Sequence, residues 1–335
     1  MEIYMKKIIK AVMLGHAVGD ALGVPVEFVR RETLDGDPVV DMRGYGTYHV
    51  PKGSWSDDTG MAIATLDSIS SGRVDYEKIM ERFVAWAEDG EYTPEGKTFD
   101  IGTTTLRAIR NFLSPDCRSA LECGPCEDHA NGNGSLMRIH PIALYLALLG
   151  VDEEEALDTV SCISSLTHGH ERSRLGCMIY YFVLREILLS PDKTGVVRGL
   201  SAARERLSES YECHTYFDRV LGRMTDADEG KEEAVASLVK REEIKSTGYV
   251  VDTLEAAIWC ALTTNSYKEC VLKAVNLGDD TDTVAAIAGG LAGAMYGLES
   301  IPEEYSHALL RREYIEKLCE KAAKGWSRLV CKDKE

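Results

Sequence analysis

Apolar positions recur with the spacing of an α-helix along most of this chain. In the segment 5–22, for example, Ile8, Ile9, Val12 and Met13 fall on one helical face. Comparable patterns predict helices at 60–69, 76–87, 142–149, 153–166, 172–189, 200–207, 232–239, 267–275, 285–296 and 305–323, and in the segments that follow Asp100 and Gly248. No segment alternates with the two-residue period of a half-buried strand. The chain is therefore predicted to be all-α, a compact orthogonal multi-helix bundle.

Three glycines in the first predicted helix, Gly15, Gly19 and Gly23, lie four residues apart. Each glycine costs a helix about 1 kcal/mol relative to alanine. Since the spacing places all three on one face, we expect another backbone or a ligand to approach that face closely.

Two oxygen-rich turns lie near opposite ends of the chain. Residues 54–59 read Ser-Trp-Ser-Asp-Asp-Thr, and residues 276–283 read Asn-Leu-Gly-Asp-Asp-Thr-Asp-Thr. Asp and Thr are good helix caps, but one acid per turn would suffice for capping. Several adjacent carboxylates repel one another unless a cation screens them, and Mg²⁺, Mn²⁺ and Ca²⁺ all take oxygen ligands. The repetition favours a two-metal site over two caps, and a single domain over residues 1–335 would bring the turns together.

Four other polar features each allow two interpretations. Glu27 lies between apolar neighbours and is either a buried carboxyl or an exposed loop acid. Asp100 is by default the cap of the helix after it. The stretch 131–138 alternates Asn and Gly, and forms either a tight turn or an anion-binding nest before a helix from Leu136 onward. His168 lies in a gap between helices and contacts a ligand, caps a helix or faces solvent.

Composition and charge narrow the functional classes. The chain has 335 residues, 44 % of them hydrophobic and 28 % charged, which is ordinary for a globular protein. A formal charge of −17 argues against general affinity for nucleic acids or anionic membranes. We recognise no secretion signal and no apolar run that would span a membrane. Ten largely scattered cysteines in such a chain indicate reduced thiols and a cytoplasmic location.

The clustered cysteines do not predict a zinc or redox site. Cys117, Cys123, Cys126 and His129 have irregular spacing for zinc. The sequence Cys123-Gly-Pro-Cys126 does not follow a strand in a βαβ unit, as a thioredoxin-like motif would. A loop with incidental cysteines is the favoured interpretation.

Taken together, five motifs resemble the ADP-ribosylglycohydrolase family and follow its order over most of the chain. They are Gly19-Asp-Ala-Leu-Gly23 with Glu27, Ser56-Asp57-Asp58-Thr59, Asn131-Gly-Asn-Gly-Ser-Leu-Met-Arg138, Thr167-His168 and Gly278-Asp-Asp-Thr-Asp-Thr283. The resemblance implies an all-α fold around a dinuclear Mg²⁺ or Mn²⁺ centre. It also implies cleavage of ADP-ribose from a modified group, typically a protein side chain, with arginine favoured.

The resemblance also implies roles for individual residues. The implied metal ligands are Ser56, Asp57, Asp58, Asp280, Asp282 and Thr283. The implied substrate-binding residues are Asn131, Gly132, Asn133, Gly134, Ser135 and His168. Glu27 matches the family's catalytic glutamate, and Asp100 resembles an aspartate near the substrate ribose in arginine-directed members. Thr103 stands where those members are expected to have Asn, and Asp279 receives no role.

Other functions remain open at the level of sequence. The acceptor could be serine or another O-linked group, and the protein could bind ADP-ribose without cleaving it. An acidic Ca²⁺-binding or structural helical protein is a third class. For the favoured hydrolase we expect an ADP-ribosylated protein or small molecule as substrate and a monomeric enzyme.

Overall fold

The structure is a computed structural model that describes residues 1–222, 224 and 239–332. Regular structure in these residues is helical, apart from one isolated bridge between Gly132 and Tyr249. The α-helices are α1 (Glu2–Gly23), α2 (Arg31–Gly36), α3 (Asp57–Ile69), α4 (Tyr76–Asp89), α5 (Thr103–Phe112), α6 (His140–Leu149), α7 (Glu153–Ser165), α8 (Glu171–Leu189), α9 (Lys193–Arg206), α10 (Asp218–Leu221), α11 (Val250–Leu262), α12 (Tyr267–Val275), α13 (Thr281–Tyr296), α14 (Glu303–Ala308) and α15 (Arg312–Lys332). The all-α prediction is confirmed.

Several predicted helix bounds are wrong, and one helix was not predicted. The helices predicted over 200–207 and 285–296 begin earlier, at Lys193 and Thr281. Helix α6 begins at His140 rather than Leu136, because a proline in its first turn favours a helix start there. The helix predicted over 305–323 is split into α14 and α15, and Arg311 between them has a φ of 52°. The predicted loop 30–55 contains α2.

Helix α2 is fixed by contacts that sequence patterns do not reveal. The Arg31 guanidinium donates hydrogen bonds to the carbonyls of Leu277, Arg241 and Ile244, at 2.7, 2.8 and 2.6 Å. The helix predicted over 232–239 lies outside the described residues, except for Val239.

The crossing of α1 and α13 forms the centre of the molecule, and the glycine face of α1 is its contact surface. A Cβ atom added at Gly19 would lie 2.0 Å from the carbonyl oxygen of Ala285. One added at Gly15 would lie 2.5 Å from the carbonyl oxygen of Gly289, and one at Gly23 would lie 2.3 Å from the Cα of Asp282. The predicted close approach is therefore made by a second helix backbone.

Helix α1 is also the most apolar long helix among the described residues. With the residues up to Val26 it is long and apolar enough to cross a membrane, with a mean hydropathy of 1.3 in its best window. However, 89 % of that window is buried inside the protein. This burial is typical of the core helix of a globular fold.

Candidate functional site

The two acidic turns meet at the end of the α1–α13 crossing. Carboxylate oxygens of Asp20, Asp58 and Asp282 all lie within 4.8 Å of one another. Those of Glu27, Asp100 and Asp282 form a second such group. The Thr283 hydroxyl donates a 3.3 Å hydrogen bond to Asp58 across 225 residues of sequence. The fold thus joins the turns into one carboxylate cluster.

Asp20 fixes the first acidic turn, a role that the sequence analysis missed. Its carboxylate accepts hydrogen bonds from the backbone N–H of Ser56 at 2.9 and 3.1 Å and from that of Thr59 at 3.0 Å. It also accepts a 2.6 Å bond from the Thr59 hydroxyl. Asp20 is fully buried in an otherwise apolar part of α1, and this buried acid is the signal that could have identified it.

Several oxygens in the cluster are buried without a partner. Within the described part of the chain, Asp58 Oδ1, Asp280 Oδ1, Asp282 Oδ2 and Glu27 Oε2 accept no hydrogen bond. An unpaired buried carboxylate oxygen is strongly unfavourable, so such atoms mark positions where a cation or water would bind. Carboxylate and hydroxyl oxygens suit hard divalent cations. The residues present therefore fit the Mg²⁺ or Mn²⁺ centre that the sequence implied.

The electrostatics of the cluster agree with this interpretation. Burial, followed by repulsion from neighbouring carboxylates, raises the pKa values of Asp57, Asp58 and Asp282 well above their ordinary range. Burial and the charges of Asp100 and Asp280 raise the pKa of Glu27 to about 9. A bound cation would lower these pKa values, because it favours the charged carboxylates.

The acids in the turns do not act as the main helix caps. Ser56 is the N-cap of α3, and its side chain accepts from the Asp58 N–H at 3.4 Å. Asp280 precedes α13 but makes no side-chain cap bond. Asp279 is exposed and has a φ of 58°. The capping alternative therefore does not account for the clustered carboxylates.

The helix-cap expectation for Asp100 is wrong. Helix α5 begins at Thr103, its N-cap is Gly102, and no side-chain cap bond is present. Asp100 has a φ of 55°, and its carboxyl group reaches the cluster instead. The Tyr48 hydroxyl lies within hydrogen-bonding reach of both Asp100 and Glu27.

A cavity of about 230 Å³ opens over the cluster. Its acidic wall includes Glu27, Asp57, Asp100, Asp280 and Thr283. Ser56, Asp58 and Asp282 are buried beside this wall rather than lining the cavity.

The lining of the cavity also includes Gly132, Asn133, Gly134 and His168. The Asn133 side chain donates to Asp280 at 2.8 Å, which ties the loop to the second acidic turn. A Cβ at Gly134 would lie 2.7 Å from a ring carbon of His168, so the loop and ring are in close contact.

The remaining two predicted substrate-binding residues support the loop from behind. The Asn131 side chain donates to the Asp128 carbonyl at 2.7 Å and accepts from Ser173 at 3.2 Å. The Ser135 hydroxyl accepts from Ser164 at 2.9 Å and is fully buried. Both side chains thus face the protein interior.

His168 is buried and electrically neutral at the cavity wall. Its Nδ1 shares a 2.9 Å hydrogen bond with the Thr167 hydroxyl. Burial, and then the nearby Arg138 guanidinium, lower its pKa to about 3. A neutral ring can exchange hydrogen bonds with a ligand without adding a charge.

The cysteine cluster is separate from this chemistry. The sulfurs of Cys117 and Cys123 lie 3.6 Å apart, and Cys126 is an exposed free thiol. In the described residues, the groups of three or more potential metal ligands are all acidic.

Comparisons with known proteins point to one family. The model of the ADP-ribosylglycohydrolase family matches residues 3–329. The chain is 34 % identical to the ADP-ribosylarginine hydrolase Tri1 of Serratia proteamaculans, over 93 % of this chain and 77 % of that protein. It is 29 % identical to the ADP-ribosyl-[dinitrogen reductase] glycohydrolase of Rhodospirillum rubrum, over 86 % and 85 % of the two chains.

Two further relatives extend the comparison. The ADP-ribosylhydrolase ARH3 of Bos taurus is 25 % identical over 88 % of this chain and 87 % of its own length. A solved structure described as an ADP-ribosylglycohydrolase-related protein complex has a TM-score of 0.72 and 28 % identity, and covers 96 % of this chain and 98 % of that one. Since the family match includes both acidic turns and the cavity between them, this chain belongs to the ADP-ribosylglycohydrolase family of enzymes.

Proposed function

We propose that this enzyme hydrolyses the bond between ADP-ribose and an arginine side chain, in a reaction that depends on two Mg²⁺ or Mn²⁺ ions. The main support for the proposal is that the two acidic turns lie together beneath one cavity. Glu27 and Asp100 also line this cavity. The 34 % identity to a relative named ADP-ribosylarginine hydrolase supports arginine as the acceptor.

The predicted metal ligands divide into three residues from each turn. Those that would hold the cations are Ser56, Asp57, Asp58, Asp280, Asp282 and Thr283. Divalent cations at such a site supply electrostatic stabilisation of ribose hydroxyls and of an attacking water. Asp20 would keep the first turn in place, because its carboxylate is committed to the backbone of Ser56 and Thr59.

The protein's own groups have distinct tasks in the proposed reaction. The loop 132–134 lines the cavity beside the neutral His168 and would hold the diphosphate. The Asn133 N–H is not available for this task, because it donates to the Gly248 carbonyl at 3.0 Å. Cleavage at the anomeric carbon passes through an oxocarbenium-like state and needs a carboxyl group to move a proton. Glu27 fits this task, since it lines the cavity and one of its carboxyl oxygens has no hydrogen-bond partner.

We also propose a monomeric enzyme of the cytoplasm that acts on ADP-ribosylated proteins. Nine cysteines within the described residues are free thiols, which suits a reducing compartment. The relative from Rhodospirillum rubrum is named for an ADP-ribosylated protein, dinitrogen reductase.

The proposal is tested by release of free ADP-ribose from two peptides, one modified on arginine and one on serine. Each is assayed with Mg²⁺, with Mn²⁺ and after chelation. We expect release from the arginine peptide only, and loss of release on chelation. Release from the serine peptide alone would instead establish the O-linked alternative. Binding of ADP-ribose without release from either peptide would support the silent binding protein.

A further inference from the structure

Phe28 is an aromatic residue with an energetically unfavourable backbone conformation, and it lies beside the proposed catalytic group. It directly follows Glu27, and its side chain is 66 % exposed while it also lines the cavity. Its φ is 63°. Bulky residues rarely adopt positive φ, and such strained residues are concentrated at ligand-binding and catalytic sites.

The backbone around Phe28 is held firmly by the second acidic turn. The Phe28 N–H donates to the Asp279 carbonyl at 2.7 Å, and the Asp279 N–H donates to the Val29 carbonyl at 3.0 Å. Asp279 also has positive φ, 58°. This reciprocal pairing explains how two strained residues persist, and it places the ring at a defined point of the cavity rim.

The location of Phe28 suggests which part of a substrate it would meet. The loop 132–134, His168 and Glu27 all line the cavity. In the proposed function the diphosphate lies against the loop and His168. If Glu27 moves a proton at the scissile bond, the group beyond that bond passes over the residues next to Glu27. Among the described residues that line the cavity, Phe28 is the only Phe, Tyr or Trp.

We infer that Phe28 binds the acceptor and that its ring stacks on the planar guanidinium of ADP-ribosylarginine. This inference rests on the proposed function. A guanidinium is planar, delocalised and weakly hydrated, so it stacks well on an aromatic face. An acceptor linked through a serine hydroxyl offers no planar cation. Phe28 would therefore favour arginine over hydroxyl acceptors.

The substitution Phe28→Ala tests the inference. We expect kcat/KM for an arginine-linked peptide to fall about tenfold, because the bound acceptor would cover the exposed ring and exclude water from the stacking contact. Phe28→Tyr and Phe28→Trp should retain most of the activity. Tyr45→Ala is the matched control, since Tyr45 has a φ of 59°, is 69 % exposed and does not line the cavity. It should behave like the wild type.

A binding measurement separates this inference from the proposed reaction. In a Glu27→Gln background, calorimetry compares ADP-ribosylarginine with free ADP-ribose, with and without Phe28→Ala. We expect the added substitution to weaken only ADP-ribosylarginine binding, again about tenfold. If that loss occurs although the wild-type enzyme does not cleave the arginine peptide, the inference stands and the proposed reaction fails.

Three results would overturn the inference. The first is unchanged kcat/KM in Phe28→Ala. The second is an equal loss of affinity for free ADP-ribose, which would place the ring against that part of the ligand. The third is unchanged arginine activity in Phe28→Gly. Because glycine tolerates positive φ, this variant should melt no lower than the wild type, so any loss of activity cannot be attributed to unfolding.

Discussion

Glu27 combines three properties that single it out among the glutamates of the described structure. It is buried, one of its oxygens has no hydrogen-bond partner, and it lines the cavity. The sequence left open an exposed loop acid, and the apolar neighbours of Glu27 were the only sign of burial. The structure therefore assigns to the carboxyl an environment that suits proton transfer.

We expect Glu27→Gln to lower kcat by about 10²- to 10⁴-fold, since the amide cannot transfer the proton. Affinity for ADP-ribose should be nearly unchanged, because the amide has almost the same shape. Steady-state kinetics and calorimetry measure the two quantities. Glu32→Gln is a suitable control, since Glu32 is exposed in the neighbouring helix α2. Wild-type turnover in Glu27→Gln, with normal ADP-ribose binding, would contradict the catalytic role.

At the scale of elements, the α1–α13 crossing determines whether the site forms. The glycine face of α1 lets the two backbones touch, and this contact places Asp20 beside Asp282. Any side chain in the contact would separate the two helices and, with them, the carboxylates that they carry. The spacing of the glycines predicted a close approach, but it did not specify the partner.

We expect Gly19→Ala to destabilise the protein by about 3 kcal/mol or more, because its Cβ would meet the Ala285 carbonyl and neither backbone can move freely. Metal affinity should fall as well. Chemical denaturation and metal titration measure these effects. Gly36→Ala is the matched control: Gly36 ends α2, and an added Cβ there meets no atom within 4 Å. A Gly19→Ala protein as stable as this control would refute the tight crossing.

At the scale of the whole molecule, the cluster concentrates carboxyl groups with raised pKa values in an acidic protein. Burial is the largest cause, and it raises the pKa of Asp20 to about 6 and that of Glu27 to about 9. Unfolded carboxyls titrate near pH 4. Between these values the native state binds more protons than the unfolded state, so stability decreases as pH rises.

We therefore expect the melting temperature of the metal-free protein to fall as pH is raised from about 5 to about 9, the range in which these raised carboxyls lose their protons. Added Mg²⁺ or Mn²⁺ should reverse much of this loss, because cations bind the ionised native cluster. Calorimetry with chelator and with metal measures both curves. A metal-free melting temperature that rises over this pH range, or no response to either ion, would contradict the proposed centre.

Local sequence patterns were sufficient to predict the helical class and the chemistry that the site requires. Helical periodicity depends on near neighbours, so most helices could be located from it. The adjacent acids at 57–58 and 279–282 predicted a bound cation without knowledge of where the two turns lie in the fold. The family motifs also identified the residues that the structure brings together around the cavity.

The roles of the individual residues depend on how the whole chain packs. The Asp100 carboxyl lies in the cluster and does not cap a helix. The Asp20 carboxylate binds the backbone of the first acidic turn, and the side chains of Asn131 and Ser135 bind other protein groups instead of lining the cavity. The fold also sets Phe28 at the rim. The energy of a buried carboxylate, or of a strained backbone, depends on neighbouring atoms that belong to residues far away in the sequence. The packing of α1 against α13 brings these atoms together, and a local sequence pattern does not predict that packing.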